Sequence, residues 1–552
     1  MEPVAEYMKL VNVLMGQGRK DEAVTVLKHQ LDADPHDWKA ILGLAEIEYM
    51  NANAAWSSHI YARAQQIAGA RGATEIEMSV IVNGIGRGLD DLGDIEEAHA
   101  CFAQALKLNP DDQKCLNNVG LTLFKLGHIE LAIETLEKAH EMEPEHLPAR
   151  LNLAMAYLKH QDWAKGWPMW RSSLGAPDRP VRADLNMPTW VETLPPAPRA
   201  APIPGEIHIE VGGTNVTIED ESLTVGSDDF DPFEGSDVSY NFGRKRTVVY
   251  GEQGIGDELL FASCMQDMID AEGPDFAPVM ETQPRLEGLF RRSFPDAHVY
   301  GTKGSAPIWM DDLKDVGQKI ALGNLPTEFR ADGNFPGTPY LIPCPHRAAG
   351  AKAMLRALDK GKKTKKIGIA WHGGTMTTDS MGRSLELKEM MAAFEGVKGV
   401  TFISLQYRDS TVEAAPYGNV HAFPWLTCTR DYDDVAALVS QLDAVVSVAT
   451  SVVNLAGGLG VPTWILTPDR APWRYPDGVT HHPWFAKSKL VRKVDGVWPM
   501  RDALEEALNG TGKLQRSTNG DGKRARPRRS NGKNTGLDRA VRSSDQPGSH
   551  PS

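Results

Sequence analysis

Apolar and small side chains repeat with a period of 34 residues along the first 175 positions of the chain. The two clearest repeats match at five positions, where Gly86, Gly93, Ala98, Ala105 and Pro110 recur as Gly120, Gly127, Ala132, Ala139 and Pro144. This pattern predicts helix–turn–helix units. Small residues allow two helices to cross closely, glycine relaxes the turn between them, and proline follows the second helix, where it disturbs no hydrogen bond.

Further units fit the same frame on both sides of this pair. Gly18, Ala23 and Pro35 match it near the N-terminus, and the register slips by seven residues around residues 69–74. The second helix of the last unit, residues 147–174, carries three tryptophans: Trp163, Trp167 and Trp170. They predict either a face that docks on the next domain or the buried face of a capping helix. Residues 1–175 resemble a tetratricopeptide-repeat array.

The pattern changes after residue 175. Residues 176–205 contain eight prolines and predict an extended linker. Residues 207–218 alternate apolar and polar side chains on either side of a Gly-Gly pair, which predicts a β-hairpin. The acidic residues between 228 and 234 lack the ligand spacing of a calcium loop, so a solvated loop is favoured there.

From residue 246 onward, short apolar strands alternate with helices. The first series has predicted strands at 247–250, 277–281, 298–300 and 308–309, with a helix at 257–270. The second has predicted strands at 366–371, 400–406, 419–423, 444–448, 463–466 and 490–492, with helices at 387–394, 432–441, 452–459 and 501–508. Such alternation predicts parallel sheets covered on both faces. The expected fold is therefore an α-solenoid followed by two Rossmann-like α/β halves, residues 206–350 and 351–510, with a cleft between them.

Charge separates the tail from the rest of the chain. Residues 511–552 hold ten Lys or Arg and three acidic residues, so they carry +7 while the preceding residues carry −21. The tail is almost free of apolar residues and is expected to be disordered, serving solubility or contact with an acidic polymer or membrane lipid. The acidic body argues against nucleic acid as its ligand. Without a bilayer-spanning apolar run or a signal peptide, we expect a cytoplasmic protein, and self-association of the repeats stays open.

A glycine-rich turn follows the first strand of the α/β region. Gly251, Gly254 and Gly256 let the backbone approach a ligand, and Asp257 opens the next helix. The acid argues against pyrophosphate at this turn, and on spacing alone Asp257 stabilises the helix dipole. The dinucleotide fingerprint of an NAD-dependent oxidoreductase, with its acid about 20 residues later, is missing.

Two turns in the second series are candidates for a diphosphate site. Trp371 and Gly373 lie in a glycine turn after a strand, with Arg383 before the next helix, and Thr450 and Ser451 join another strand to a helix. Hydroxyl groups and free helix amides at such turns can hold a diphosphate. A simple helix cap would also explain Thr450 and Ser451, but two turns at neighbouring strand ends favour a ligand.

Seven motifs follow one another in a recognisable order: 251–257 (GEQGIGD), 368–371 (GIAW), 383–385 (RSL), 403–406 (ISLQ), 450–457 (TSVVNLAG), 473–474 (WR) and 483–485 (PWF). Over roughly residues 80–500, the chain resembles bacterial and phage-type tetratricopeptide glycosyltransferases related to the heptosyltransferases of family 9. It resembles protein O-GlcNAc transferase more distantly.

The resemblance implies a GT-B fold that binds an acceptor in the first half and a nucleotide-sugar in the second, with no further cofactor and no metal. It implies that Asp257 is the general base of an inverting transfer, with Gly254 and Gly256 in the acceptor-side loop. The donor-binding residues that it implies are Trp371, Gly373, Arg383, Thr450, Ser451 and Asn454. Helix amides and a cation would then stabilise the departing diphosphate.

The chain departs from the family pattern at the donor site. Ala449 replaces a usual acid, Asn454 replaces a usual histidine, and a lysine usual before Arg383 is absent, with Thr377 and Thr378 nearby. Three histidines can compensate, although surface positions explain them as well: His372, His481 and His482. Two functions therefore stay open. One is transfer of a sugar to a protein or glycan acceptor that the repeats recruit, and the other is a non-catalytic repeat scaffold with a degenerate glycosyltransferase domain.

Overall fold

A computed structural model describes residues 6–182, 184–190, 245–359, 361–373 and 382–510, and the backbone of residues 206–211 and 214–219. Residues 191–205 of the predicted linker, the acidic residues 228–234, Thr377, Thr378 and the tail 511–552 lie outside the described residues. The predicted hairpin is present in the backbone, where β1 (Glu206–Val211) pairs antiparallel with β2 (Thr214–Glu219).

The described N-terminal region folds into five consecutive helical hairpins. Their helices are α1 (Glu6–Gly16), α2 (Lys20–Ala33), α3 (Trp38–Met50), α4 (Ala54–Ala70), α5 (Glu75–Leu92), α6 (Ile95–Leu108), α7 (Gln113–Lys125), α8 (Ile129–Met142), α9 (Leu147–Lys159) and α10 (Trp163–Ser172). Each helix packs on the next in the chain, which gives a solenoid of stacked units.

The glycines of the 34-residue period act as the sequence predicts. A Cβ atom on Gly86 would lie 2.7 Å from the Phe102 ring, and one on Gly120 would lie 2.6 Å from Leu136, so only glycine lets these helices cross. Gly93 ends α5 with a φ of 91°, in the left-handed region that other residues rarely adopt. The predicted units are confirmed.

The first α/β sheet has four parallel strands in the order β5-β4-β3-β6. The strands are β3 (Arg246–Tyr250), β4 (Val279–Glu281), β5 (His298–Tyr300) and β6 (Val316–Ala321). The helices of this half are Ile255–Phe261, Met265–Glu272, Glu287–Ser293, Trp309–Asp312 and Leu325–Phe329. The turn after β3 therefore emerges from the middle of a buried parallel sheet.

The second sheet has six parallel strands in the order β9-β8-β7-β10-β11-β12. The strands are β7 (Lys365–Ala370), β8 (Val400–Ser404), β9 (Val420–His421), β10 (Ala444–Val448), β11 (Thr463–Leu466) and β12 (Ser488–Val491). The helices are Leu387–Ala393, Thr411–Ala414, Pro424–Thr427, Tyr432–Val439, Ser451–Gly458 and Met500–Asn509. Counted from β7, this is the doubly wound order 3-2-1-4-5-6, whose strand order reverses between β7 and β10.

One predicted strand is wrong. Residues 308–309 do not form a strand, because Trp309 begins a single-turn helix and packs its fully buried ring under the sheet with Leu185 and Tyr250. The strand of this region is β6, which the apolar pattern missed because it lies at the sheet edge and carries polar residues. A short apolar run cannot by itself distinguish a strand from a buried turn.

The described part of the predicted linker is packed rather than free. Arg179 is fully buried, and its guanidinium donates to Glu252 at 3.1 Å and to Asn324 at 2.6 Å. Pro188 accepts a 3.0 Å hydrogen bond from the backbone N–H of Lys319, so the segment also covers the edge strand β6. Proline content alone suggests an extended chain, but it does not show which residues that chain packs against.

One helix spans the predicted boundary at residue 350. Helix Pro345–Ala357 precedes β7 and packs on helix Tyr432–Val439 of the second sheet. Arg347 reaches across to Asp434 at 2.7 Å. The position of that boundary stays a prediction.

Candidate functional site

The carboxyl ends of the two sheets meet through two helices. The turn after β3 leads into helix Ile255–Phe261, and β10 leads through Thr450 into helix Ser451–Gly458, and these helices pack together. The Asn454 side-chain amide donates a 2.8 Å hydrogen bond to the carbonyl oxygen of Gly256. The predicted acceptor-side loop and the predicted donor-side helix therefore lie side by side.

Asp257 forms an ion pair with Arg474, a residue to which the sequence assigned no role. Both side chains are about one-fifth exposed, so the pair lies at the surface where the two halves meet. Gly254, at the start of the same turn, is exposed. Asp257 is therefore partly open to solvent and at the same time in contact with the second half of the protein.

Two buried acids on either side of Asp257 fix the turn that carries it. Glu252 accepts from Arg179 and from the backbone N–H of Gly323 at 3.2 Å. Glu258 accepts from Lys303 at 2.7 Å, and burial raises the pKa of this carboxyl while the lysine opposes the rise. Neither acid was assigned a role from the sequence. Their neighbours at 179, 303 and 323 are too distant in the chain for a local pattern to reveal.

Arg474 is held by the last repeat unit. Its guanidinium stacks 4.7 Å from the Trp473 ring, and Trp473 in turn lies 5.8 Å from Trp167 and 5.1 Å from Trp170 of α10. The Trp170 indole also donates to the Gly323 carbonyl oxygen at 2.8 Å. The predicted docking of the aromatic face of the last unit is confirmed.

A buried lysine strengthens the contact between the last repeat unit and the second α/β half, which is called the joint below. Lys159, at the end of α9, is 4% exposed and donates to the carbonyl oxygens of Ala471 and Tyr475 at 2.9 and 2.8 Å. Its ammonium group lies 3.0 Å from Asp477. Burial lowers the pKa of this lysine, and Asp477 counteracts the shift. The repeat array therefore fixes the segment 471–477, which carries Arg474.

The predicted donor turns also lie side by side. Strands β7 and β10 are hydrogen-bonded neighbours, and a Cβ on Gly373 would lie 2.8 Å from the Thr450 methyl group. The backbone N–H of Gly373 donates to the Ser384 hydroxyl at 3.2 Å, which ties the glycine turn to the residue after Arg383. In its hydrogen-bonding orientation, the Gln406 amide accepts from the backbone N–H groups of Trp371 and His372 at 2.7 and 2.8 Å.

Thr450 and Ser451 make internal hydrogen bonds. Thr450 caps its helix by accepting from the backbone N–H of Val452 at 3.3 Å, which is the simple cap considered from the sequence. The Ser451 hydroxyl accepts from the Tyr432 hydroxyl at 3.1 Å. Both residues are half-buried, so part of each stays open to solvent.

Trp371 does not line the site with its ring. The indole is fully buried in the core of the second sheet, and its N–H donates to Glu413 at 2.8 Å. Only the backbone of this residue lies at the glycine turn. The sequence pattern correctly predicted a strand that ends in a turn at this position. The Trp371 side chain, however, fills the core and does not contact the predicted donor site.

Two further side chains surround Arg474. Burial raises the pKa of the Tyr475 phenol to about 12, while the positive charges of Arg474 and Arg383 oppose the rise. Burial lowers the pKa of the His482 imidazole to about 3, and the charge of Arg474 adds to this shift. The charges of Arg383, Arg474 and Asp257 all act on the Tyr475 phenol, so the three side chains lie near it.

One of the three histidines, His482, is buried rather than at the surface position that the sequence suggested. His482 is buried between Tyr475 and Phe485, and among the described residues its Nε2 has no hydrogen-bond partner. His481 is exposed and His372 is half-buried. Within the described ranges, no three His, Cys, Asp or Glu side chains are grouped to hold a metal ion.

A model of the tetratricopeptide-repeat family matches the chain at residues 83–139 and 117–166. Tetratricopeptide repeats are therefore present in the N-terminal helical array, over residues 83–166. They form the first part of a chain whose second part contains parallel sheets and helices. Arrays of this type present extended surfaces on which other proteins bind.

Protein FlbA of Caulobacter vibrioides is 27% identical over 444 residues, which cover 76% of this chain and 65% of FlbA. The match therefore spans less than two thirds of that relative. Among solved structures, YrrB, described as a tetratricopeptide protein with an unusual peptide-binding site, aligns over 31% of this chain and 86% of its own, with 18% identity and a TM-score of 0.25. PilF of Pseudomonas aeruginosa aligns over 30% and 74%, with 19% identity and a TM-score of 0.27.

None of the helices in the described ranges is both long and apolar enough to cross a membrane.

Proposed function

We propose that this protein is an inverting glycosyltransferase of GT-B type that moves a sugar from a nucleotide-sugar to a protein or glycan acceptor. The observation that carries the proposal is the meeting of two parallel sheets at their carboxyl ends, with Asp257 of the first half facing Arg474 of the second. Open α/β sheets bind ligands at these ends, where the strand order reverses.

The donor would bind at the switch point between β7 and β10. The glycine turn at Gly373 brings the backbone close there, and helix Ser451–Gly458 directs its positive N-terminal end to the same place. Arg383 and Arg474 supply positive charge near Tyr475. Helix amides and guanidinium groups together stabilise the charge that develops on a departing diphosphate.

The acceptor would bind at the turn after β3. Asp257 would accept the proton of the acceptor hydroxyl as its oxygen attacks the anomeric carbon from the face opposite the leaving diphosphate. The exposed Gly254 leaves room for an acceptor beside this carboxylate. The tetratricopeptide repeats, which are anchored to the same site through Lys159 and the tryptophans, would bring the acceptor to it.

The experiment is a calorimetric titration of the purified chain with UDP-, GDP-, ADP-, CMP- and dTDP-sugars. We expect one of them to bind, and Arg383→Ala to weaken its binding at least tenfold, because a charge-assisted hydrogen bond contributes about 1.5–3 kcal/mol. The exposed Arg356→Ala variant is the matched control and should bind as the wild type does. Transfer of the sugar to an acceptor, lost in Asp257→Asn, would complete the assignment.

A second function, a repeat scaffold with a non-catalytic α/β region, is favoured by the internal hydrogen bonds of the site. Asp257 is paired with Arg474, Thr450 caps its own helix, and Asn454 is bonded to Gly256. A folded sample that binds none of the five nucleotide-sugars would support this scaffold and contradict the transferase.

A further inference from the structure

Arg474 is a rigidly presented cation. Trp473 supports one face of its guanidinium, and Lys159 holds the backbone carbonyl groups of residues 471 and 475 on either side of it. A guanidinium that is held in this way loses little conformational entropy when it binds an anion. The fixed segment therefore presents Arg474 to the region between the two halves.

The hydrogen-bonding capacity of Arg474 is only partly used. Its Nη2 is paired with Asp257, whereas its buried Nε has no hydrogen-bond partner among the described residues. A guanidinium has five N–H donors in a planar fork that matches the oxygen atoms of a phosphate. Asp257 occupies one edge of this fork, so other N–H donors of Arg474, the Nε among them, remain for a further acceptor. A phosphate group has more oxygen atoms than the Asp257 carboxylate and can accept hydrogen bonds from more of these donors.

We propose that Arg474 is an anion-binding residue that exchanges Asp257 for the diphosphate of the donor, so that Asp257 is released only when a diphosphate is bound. The identity of the anion as part of a nucleotide-sugar rests on the proposed function. The exchange itself rests on the ion pair, the unpartnered Nε and the neighbouring charge of Arg383. A diphosphate carries more negative charge than one carboxylate, which favours the exchange.

This exchange orders the events at the site. Without a donor, the Asp257 carboxylate is occupied by its ion pair with Arg474. When the diphosphate takes Arg474, the carboxylate is free to turn to the acceptor. The enzyme would then activate an acceptor only after the donor is in place.

The test is calorimetric titration of the full chain with inorganic pyrophosphate, with Arg474→Met, Asp257→Asn and the double variant beside the wild type. Arg474→Met should weaken binding at least tenfold, and Asp257→Asn should strengthen it about threefold or more, because a competing carboxylate reduces the binding-competent fraction. In the double variant, Asp257→Asn should no longer strengthen the binding of pyrophosphate. The matched control is Arg470→Met, whose arginine directly precedes the segment 471–477 but pairs with Glu96 of the repeats, and it should bind pyrophosphate as the wild type does.

Pyrophosphate binding that is equal or weaker in Asp257→Asn than in the wild type, or undetectable in both, would overturn the exchange. Arg474→Lys, which keeps the charge, guards against a loss of folding and should bind more tightly than Arg474→Met. The proposed function fails separately: pyrophosphate results as expected, with no nucleotide-sugar bound or turned over, would keep the anion exchange and remove the transferase.

Discussion

The side-chain amide of Asn454 donates a 2.8 Å hydrogen bond to the carbonyl oxygen of Gly256, 198 residues earlier in the chain. The bond connects the helix after β10 of the second sheet to the turn that carries Asp257 in the first. Asn454 is 6% exposed, so the bond is shielded from water. A residue that the resemblance assigns to donor binding therefore also joins the second half to the turn that carries Asp257.

Replacing Asn454 with alanine should lower the free energy of unfolding by about 1–2 kcal/mol, because the carbonyl of Gly256 loses a buried partner. Urea denaturation followed by circular dichroism measures this change. The exposed Asn334→Ala is the control and should stay within about 0.5 kcal/mol of the wild type. Equal stability of Asn454→Ala and the control would show that the bond between the two halves contributes nothing.

Replacing Trp167 with alanine should destabilise the protein by about 3–5 kcal/mol, as expected for loss of a large buried aromatic side chain. Its ring is fully buried against Trp473 and Trp484 of the second half. Thermal unfolding monitored by calorimetry measures the effect. Trp56→Ala is the comparison, because Trp56 is 52% exposed on the second repeat hairpin, and a similar loss in both variants would contradict a special role for the joint.

Replacing Lys159 with methionine should loosen the segment 471–477, because the carbonyl groups of Ala471 and Tyr475 lose their donor. We expect a loss of about 2 kcal/mol or more in the free energy of unfolding. Hydrogen exchange of peptides that cover this segment should increase in the same variant. Lys165→Met removes an exposed lysine from the neighbouring helix and should leave the exchange unchanged. Unaltered exchange in Lys159→Met would contradict the anchoring.

His482 should make stability depend on acid pH. Its pKa is about 3 in the folded protein and about 6.5 in the unfolded chain, so between these values the unfolded chain binds more protons. The free energy of unfolding should therefore fall as the pH is lowered from 6.5 towards 3, by up to about 1.4 kcal/mol per pH unit from this residue. Urea titrations at pH 7, 6, 5 and 4 should show a shallower fall in His482→Phe. The exposed His481→Phe should keep the wild-type dependence, and identical profiles for all three proteins would exclude His482 as the source.

The repeats could be predicted from the sequence because their structure depends on contacts within about 34 residues. Gly86 and Gly120 lie where helices cross, and Gly93 and Gly127 adopt positive φ angles at the turns, as their spacing predicts. The strands of the second sheet could be predicted for a similar reason. The central strands β10 and β11, for example, are short, fully buried and mainly apolar, so the local pattern carries the information.

The candidate site could be predicted only in part. The turns at Gly251–Gly256, Gly373 and Thr450 were visible because glycine and hydroxyl residues mark places where a backbone turns sharply. The buried ring of Trp371, the packed segment around Arg179 and the buried imidazole of His482 were not visible. Their environment is made by residues from other parts of the chain, and burial of one side chain leaves no mark on the residues next to it.

The period of the repeats, the alternation of strands and helices, and the residues at the ends of the central strands follow from the amino-acid sequence alone, because each depends on neighbours along the chain. The contact of Arg474 with Asp257, 217 residues away, and the contact of Lys159 with the segment that carries Arg474 arise only when the chain is folded. Such pairs form when separately folded elements bury their surfaces against each other. Their geometry is set by the packing of whole sheets and helices, which no local pattern of residues records.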